Sequence, residues 1–171
     1  MSKENLDYFV STKKWLTSRP HIMVVACSDG RYQESLDEFL RERLGIQYYD
    51  RLYAPGGPGV MASSLHSYFR GDQFRQEATF LIDAHQLEEI ILIFHGPALP
   101  DGPVEATCAD YRRKMPYGQT QEINQQQQQD IEEVQKAINR DGSALRLSAY
   151  RSEARADGRV QFVPLDIPVT E

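Results

Sequence analysis

Two kinds of hydrophobic pattern divide this chain. The first is continuous: residues 21–27 (HIMVVAC) and 88–95 (EEIILIFH) carry unbroken apolar runs. A strand that is apolar at every position is covered on both faces, which is the mark of a parallel sheet. Residues 47–54 (QYYDRLYA) predict another strand, stopped by Pro-Gly-Gly-Pro-Gly at 55–59. Residues 144–167 predict two closing strands around Ala156-Asp157-Gly158, a hairpin signal. The second pattern is periodic. Leu36, Phe39, Leu40 and Leu44 recur at helical spacing, and Gly45 suits a helix end. A helical stretch runs from about residue 60 to 86, interrupted at Gly71-Asp72, with Leu65, Phe69, Ala78, Leu81 and Ile82 on its buried side. Ile123, Ile131, Val134 and Ile138 share a face of a later helix, in which Asn-Gln-Gln-Gln-Gln-Gln-Asp at 124–130 reads as an exposed surface or a flexible insert. Leu6, Phe9, Val10 and Trp15 predict a helical arm over residues 5–18, ended by Pro20. Such an arm packs on its own core or on a second subunit. Residues 96–120 read as irregular.

The order is therefore α-β-α-β-α-β-α-β-β. Apolar strands alternating with amphipathic helices imply an α/β fold with right-handed crossovers. The expected sheet is mostly parallel, in the order 2-1-3-4 with strand 5 as an antiparallel edge and helices flanking it. No repeat or composition shift divides residues 1–171, so one domain is expected.

Composition adds exclusions. Apolar content of 40% and charged content of 26% fit a globular protein. A net charge of −6 argues against nucleic acid as a partner; the short basic run Tyr111–Lys114 reads as a solvated face. No apolar run approaches the roughly 18 residues a bilayer span needs, so no membrane partner is expected. Residues 1–16 carry acidic side chains and no apolar core, unlike a secretory signal. Two cysteines, Cys27 and Cys108, make no disulfide framework, and free thiols in the cytoplasm are the expectation.

In an open α/β sheet, ligands bind beyond the carboxyl ends of the strands where strand order reverses. With order 2-1-3-4, that crevice lies between strands one and three, which end in Cys27 and His95. Asp29 follows two residues after Cys27, and Arg31 opens the next helix. Each has a structural reading: a small core thiol, a helix cap, a strand-end histidine, a surface charge. Together they make a candidate zinc site, in which three protein ligands and a water give hydroxide at neutral pH. His21, His66 and His85 lack such a setting and read as structural or exposed. The glycines of 55–59 read as a turn, since no phosphate-loop spacing surrounds them.

These residues carry a likeness. Cys-Ser-Asp-Gly-Arg at 27–31 resembles the C-x-D-S-R motif of the β-class carbonic anhydrases. The Gly-rich break after strand two, the strand ending at His95 and the closing hairpin follow in that family's order. The resemblance implies that Cys27 and His95 bind zinc, that Asp29 and Arg31 form a catalytic dyad, and that the chain pairs as a homodimer or higher oligomer through its amino-terminal arm. It implies carbon dioxide or bicarbonate as the small molecule bound. The chain departs from the pattern at four places. Ala98 stands where the family has its second zinc cysteine, Phe94 precedes the histidine, Gly30 replaces a serine, and Tyr-Ala-Pro-Gly-Gly at 53–57 replaces an Arg-Asn motif. Cys108, Asp101 and Glu105 are candidates for the missing ligand, and Asp29 is another.

Three readings follow. The leading one is a carbonic-anhydrase-like protein with an altered site, with weak or no CO2 hydration and with a metal-free form among its outcomes. Its alternative is an active zinc-dependent lyase hydrating CO2 or a related small electrophile, with metal on Cys27, His95 and Asp29 or Cys108. The third is an enzyme using Cys27 as a thiolate beside a helix start and Arg31, with an anion as its ligand.

Overall fold

The computed structural model describes residues 8–62, 68–96, 103–139 and 145–168. Expectations for Leu6, Leu65, His66, Ala98 and Asp101 lie outside the described residues. Strands β1 (Ile22–Ala26), β2 (Asp50–Tyr53), β3 (Glu89–His95), β4 (Arg146–Ala154) and β5 (Val160–Leu165) form one sheet in the order β2-β1-β3-β4-β5. The first four are parallel and β5 is an antiparallel edge, which is the architecture the apolar runs predict. Met23 to Ala26 and Ile90 to Phe94 are buried throughout, as strands covered on both faces must be. The closing hairpin turns at Gly158, where φ is +79°, a left-handed conformation that glycine adopts without a side-chain clash.

Helix α1 (Gln33–Glu38) runs on into a π-helical turn over Phe39–Arg43 and stops at left-handed Gly45. It buries Leu36 and Leu40, and Phe39 stacks on Phe162 of β5 at 4.2 Å. Helices α2 (Tyr68–His85), α3 (Ala109–Lys114) and α4 (Thr120–Ile138) complete the fold, with α2 and α4 in contact. Ile123, Ile131 and Val134 of α4 join the strands in the core. No described helix is long and apolar enough to cross a membrane.

Four expectations need correction. The predicted arm helix does not form over residues 8–18, which carry no helical segment. Phe9 is 91% exposed and Trp15 89%. Trp15 and Leu16 only flank a groove beside Tyr48, Tyr49 and Arg51, and an unpacked helix of that length is marginal in water. Phe69 is exposed rather than on the buried side of α2. The irregular region 96–120 contains α3, whose Tyr111 is buried, so Tyr111–Lys114 is not simply a solvated face. Finally, α2 runs unbroken through Gly71-Asp72. Gly71 serves close approach there: a Cβ on it would lie 2.7 Å from the Val60 carbonyl oxygen.

That contact reverses the usual sign of a helix substitution. In an open helix interior, Gly→Ala stabilises by roughly 1 kcal/mol. Here Gly71→Ala is expected to destabilise by about 1–3 kcal/mol, the range for forcing extra volume into a packed site. Denaturant unfolding with an unchanged slope would read it, and a stabilised variant would show that the α2 contact is loose.

Candidate metal centre

The site grows from two strand ends and one helix start. Cys27 directly follows β1 and His95 closes the neighbouring β3, in a register that pairs Ala26 with Ile93. Above them passes the loop 55–59. Gly57 has φ +55°, and a Cβ there would stand 2.8 Å from the Cys27 amide nitrogen and 3.2 Å from the Ile93 carbonyl oxygen. Only glycine permits that approach. The adjacent Gly56 amide donates to Cys27 Sγ at 3.4 Å. The glycines therefore do more than reverse the chain.

Cys108 arrives at the amino-terminal end of α3, and a buried ionic clamp fixes that helix. Asp110 is paired with Arg70 of α2 at 3.0 Å and with Arg113 at 2.7 Å. Arg70 also donates to the Pro55 carbonyl, and Lys114 to the Gly59 carbonyl at 2.7 Å. Tyr111 donates to the buried carboxylate of Asp130 on α4. The clamp thus ties α3 to the glycine loop and holds Cys108 above Cys27.

Cys27, His95 and Cys108, all buried, bring one ligand atom each to within 4.8 Å of one another. His95 is held on several sides. Its Nδ1–H donates to the Ala106 carbonyl at 3.2 Å, its ring stacks on Tyr32 at 5.3 Å, and Gln127 Nε2 donates to its carbonyl at 3.0 Å. Tyr32 in turn donates its hydroxyl to the Cys27 carbonyl at 2.8 Å. With Nδ1 engaged as a donor, the lone pair sits on Nε2, which is buried and has no hydrogen-bond partner. A buried, unpartnered imidazole nitrogen beside two sulfurs is the donor set of a tetrahedral zinc site with a fourth position open. Ligand atoms around one such ion stand roughly 3.3–3.8 Å apart, inside the observed limit. The residues therefore fit the metal.

The charges fit as well. A hydrogen bond from Cys108, with the Gly56 amide beside it, holds the Cys27 thiol well below its usual range despite burial. Cys108 is pushed up by that same contact and by burial. Asp29 stands outside the three-residue cluster. Arg31 Nε donates to both of its carboxylate oxygens, at 2.9 and 3.0 Å, and holds the carboxyl down to about 2. Arg31 Nη1 also donates to the Glu105 carbonyl at 2.9 Å, which ties the pair to the turn before Cys108. Glu105 thus offers its backbone there. Asp29, Arg31, Tyr32 and His95 line one cleft of about 220 Å3, closed on the other side by Ala106 and Val160. His21 and His85 are structural: His21 donates to the Gln86 carbonyl at 2.9 Å, and His85 pairs with Asp50 at 2.6 Å.

Gln127 and the α3 clamp escaped the reading of the sequence. The glutamine run reads as surface, yet Gln127 is fully buried. The signal was present in its spacing, because Ile123, Gln127, Ile131 and Val134 occupy one helical face. Cys108, Tyr111 and Met115 likewise recur at helical spacing.

The sequence profile of a family described as "putative carbonic anhydrase" matches residues 17–140. No curated protein matches the chain in sequence. Similar solved structures include a β-carbonic anhydrase of Aspergillus fumigatus, at 12% identity over 90% of this chain and 78% of that one, with a TM-score of 0.48. A β-carbonic anhydrase of Trichomonas vaginalis shares 12% identity over 91% and 88% of the two chains, with a TM-score of 0.48. The carbonic anhydrase of Streptococcus mutans shares 16% identity over 90% and 87%, with a TM-score of 0.48.

Gln127→Leu removes a buried donor from the His95 carbonyl and is expected to cost about 1–3 kcal/mol of stability. Gln129→Ala, on the exposed face of the same run, is expected to stay within about 0.5 kcal/mol of the parent. Parallel thermal and denaturant melts compare them; equal effects would mean that the run acts only as helix surface.

Proposed function

This chain belongs to the carbonic anhydrase family matched over residues 17–140, and from that premise we propose that it holds a zinc ion on Cys27, His95 and Cys108 and hydrates CO2 or a related small electrophile. One observation carries the reading: His95 Nε2 is buried and unpartnered beside the sulfurs of Cys27 and Cys108. The site is altered, because Cys108 supplies the ligand that the family pattern expects at position 98, where this chain has alanine. Bound there, zinc supplies Lewis-acid activation of water near neutral pH.

The chain's own groups do the rest. Arg31 keeps Asp29 ionised, so near neutral pH its carboxylate accepts hydrogen bonds and donates none. Lining the same cleft as His95, it would orient a water by accepting a hydrogen bond from one of its O–H groups. Hydration joins that water's oxygen to the substrate carbon and releases one proton. The small walls at Ala106, Ala154 and Val160 suit an uncharged, apolar substrate of few atoms. Tyr32 and Gln127 keep the imidazole in place through ring stacking and the His95 carbonyl.

Self-association is part of this reading. The unpacked arm exposes Tyr8, Phe9, Val10 and Trp15 in the segment through which the resembled family pairs. A second copy of this chain is the proposed partner.

Metal analysis of protein purified without chelators should find about one zinc per chain, as expected for one site of three protein ligands with an open fourth position. Cys108→Ser should lower zinc affinity by more than the roughly 10–100-fold that loss of an outer-shell partner costs. Stopped-flow CO2 hydration should fall with it. Full zinc and full activity in that variant would remove Cys108 from the ligand set, and a parent protein with neither would leave a fold kept for binding alone. Removing residues 1–19 should convert a dimer to a monomer in sedimentation, and an unchanged mass would exclude the arm as the interface.

A further inference from the structure

Cys27 and Cys108 are the only two cysteines of the chain, and both are free. Their sulfurs belong to a cluster spanning no more than 4.8 Å, although one follows β1 and the other precedes α3. A disulfide needs the sulfurs about 2.05 Å apart, so closure asks for side-chain rotation and a small approach of the two segments. Cys27 is the fixed partner, anchored by the Gly56 amide and by Tyr32 on its carbonyl. Cys108 is reached through residues 103–105, which are exposed and held to the site by Arg31 at the Glu105 carbonyl. The cleft lined by Asp29 and His95 reaches the imidazole whose ligand nitrogen lies within 4.8 Å of both sulfurs, although neither cysteine lines it.

We infer that Cys27 and Cys108 form a two-electron redox couple, which a small hydroperoxide closes into an intramolecular disulfide, and that metal and oxidant compete for the same two sulfurs. One thiolate attacks the peroxide: an S–O bond forms, the O–O bond breaks, and water or an alcohol leaves. The second sulfur then attacks the sulfenic sulfur, forming S–S, breaking S–O and releasing water. The two thiols supply both electrons and the peroxide takes them. A metal held by both sulfurs occupies the electron pairs that this attack requires. The inference shares two side chains with the proposed zinc centre but does not depend on hydration activity.

The test uses the full chain, chelator-treated, with stoichiometric hydrogen peroxide. The expected result is loss of both free thiols, an intact mass lower by two hydrogen atoms, and a nonreduced peptide linking Cys27 to Cys108. Dithiothreitol should restore both thiols. Zinc added first should slow thiol loss roughly tenfold or more, since only the metal-free fraction reacts. Disulfides between chains, persistence of both thiols, or oxidation of one cysteine to sulfinic acid with the other intact would overturn the couple. Equal rates with and without zinc would overturn the competition. A linked peptide from a protein that hydrates nothing would refute the functional reading and leave the couple standing. Active zinc protein whose metal-free thiols resist peroxide would do the reverse.

Discussion

The site depends first on the pairing of β1 with β3. Chain order leaves β1 toward β2 on one side and returns to β3 on the other, so the two strands that share the sheet centre end beside each other. Hydrogen-bonded strands lie about 4.8 Å apart, which sets how far Cys27 and His95 can stand from one another. Both strands are buried on both faces, so a slip in register would disturb the whole core. The geometry of two side chains at the surface of the crevice is thus fixed by the most buried part of the molecule.

The third side chain is fixed differently. Cys108 is placed by charges, and charges taken out of water are costly unless paired and hydrogen-bonded. Asp110 meets that condition at Oδ1 with two arginines, its Oδ2 has only the Lys114 charge at 3.8 Å, and Lys114 bonds a backbone carbonyl of the glycine loop. The glycines are the counterpart of these bonds. A side chain at Gly56 would meet Asp110 at 2.5 Å, and one at Gly59 would meet the Tyr111 hydroxyl at less than hydrogen-bonding distance. Loop and helix interlock because neither has a side chain where the other needs room.

This division explains what could be read along the chain. The parallel strands and the crevice between β1 and β3 follow from apolar runs, because burial on both faces writes itself into consecutive residues, and the antiparallel edge follows from the hairpin signal at 156–158. The pairing of Asp29 with Arg31 is local, two residues apart, and equally legible. Helical spacing marks α3, but the contacts of Asp110 with Arg70 and of Lys114 with Gly59 join segments distant in sequence, which no local spacing encodes. Gln127 misled for another reason: its composition suggested surface while its helical position marked core. Gly71 misled because glycine in a helix signals a break or a close contact, and only the Val60 carbonyl distinguishes them. The arm failed as a helix because an apolar stripe folds only when buried, and Phe9 and Trp15 stay exposed in the described structure.

A third ligand supplied by Cys108 and not by position 98 would change what the proposed centre depends on. Three residues beyond the histidine, a ligand would be brought in by a local turn at the end of β3. Carried on α3, it is brought in by the ion pairs at Asp110, by Lys114 on the glycine loop and by Arg31 on the Glu105 carbonyl. Ordering that ligand is then part of folding, not of metal capture, since the contacts that hold it also close the core around Tyr111. The same arrangement keeps two sulfurs together whether or not an ion joins them. A local turn could relax and let its cysteine swing away, but a cysteine held by a buried clamp stays beside its neighbour. The proposed metal centre and the proposed thiol couple would both follow from that one feature: a cysteine placed by tertiary packing in place of a short loop.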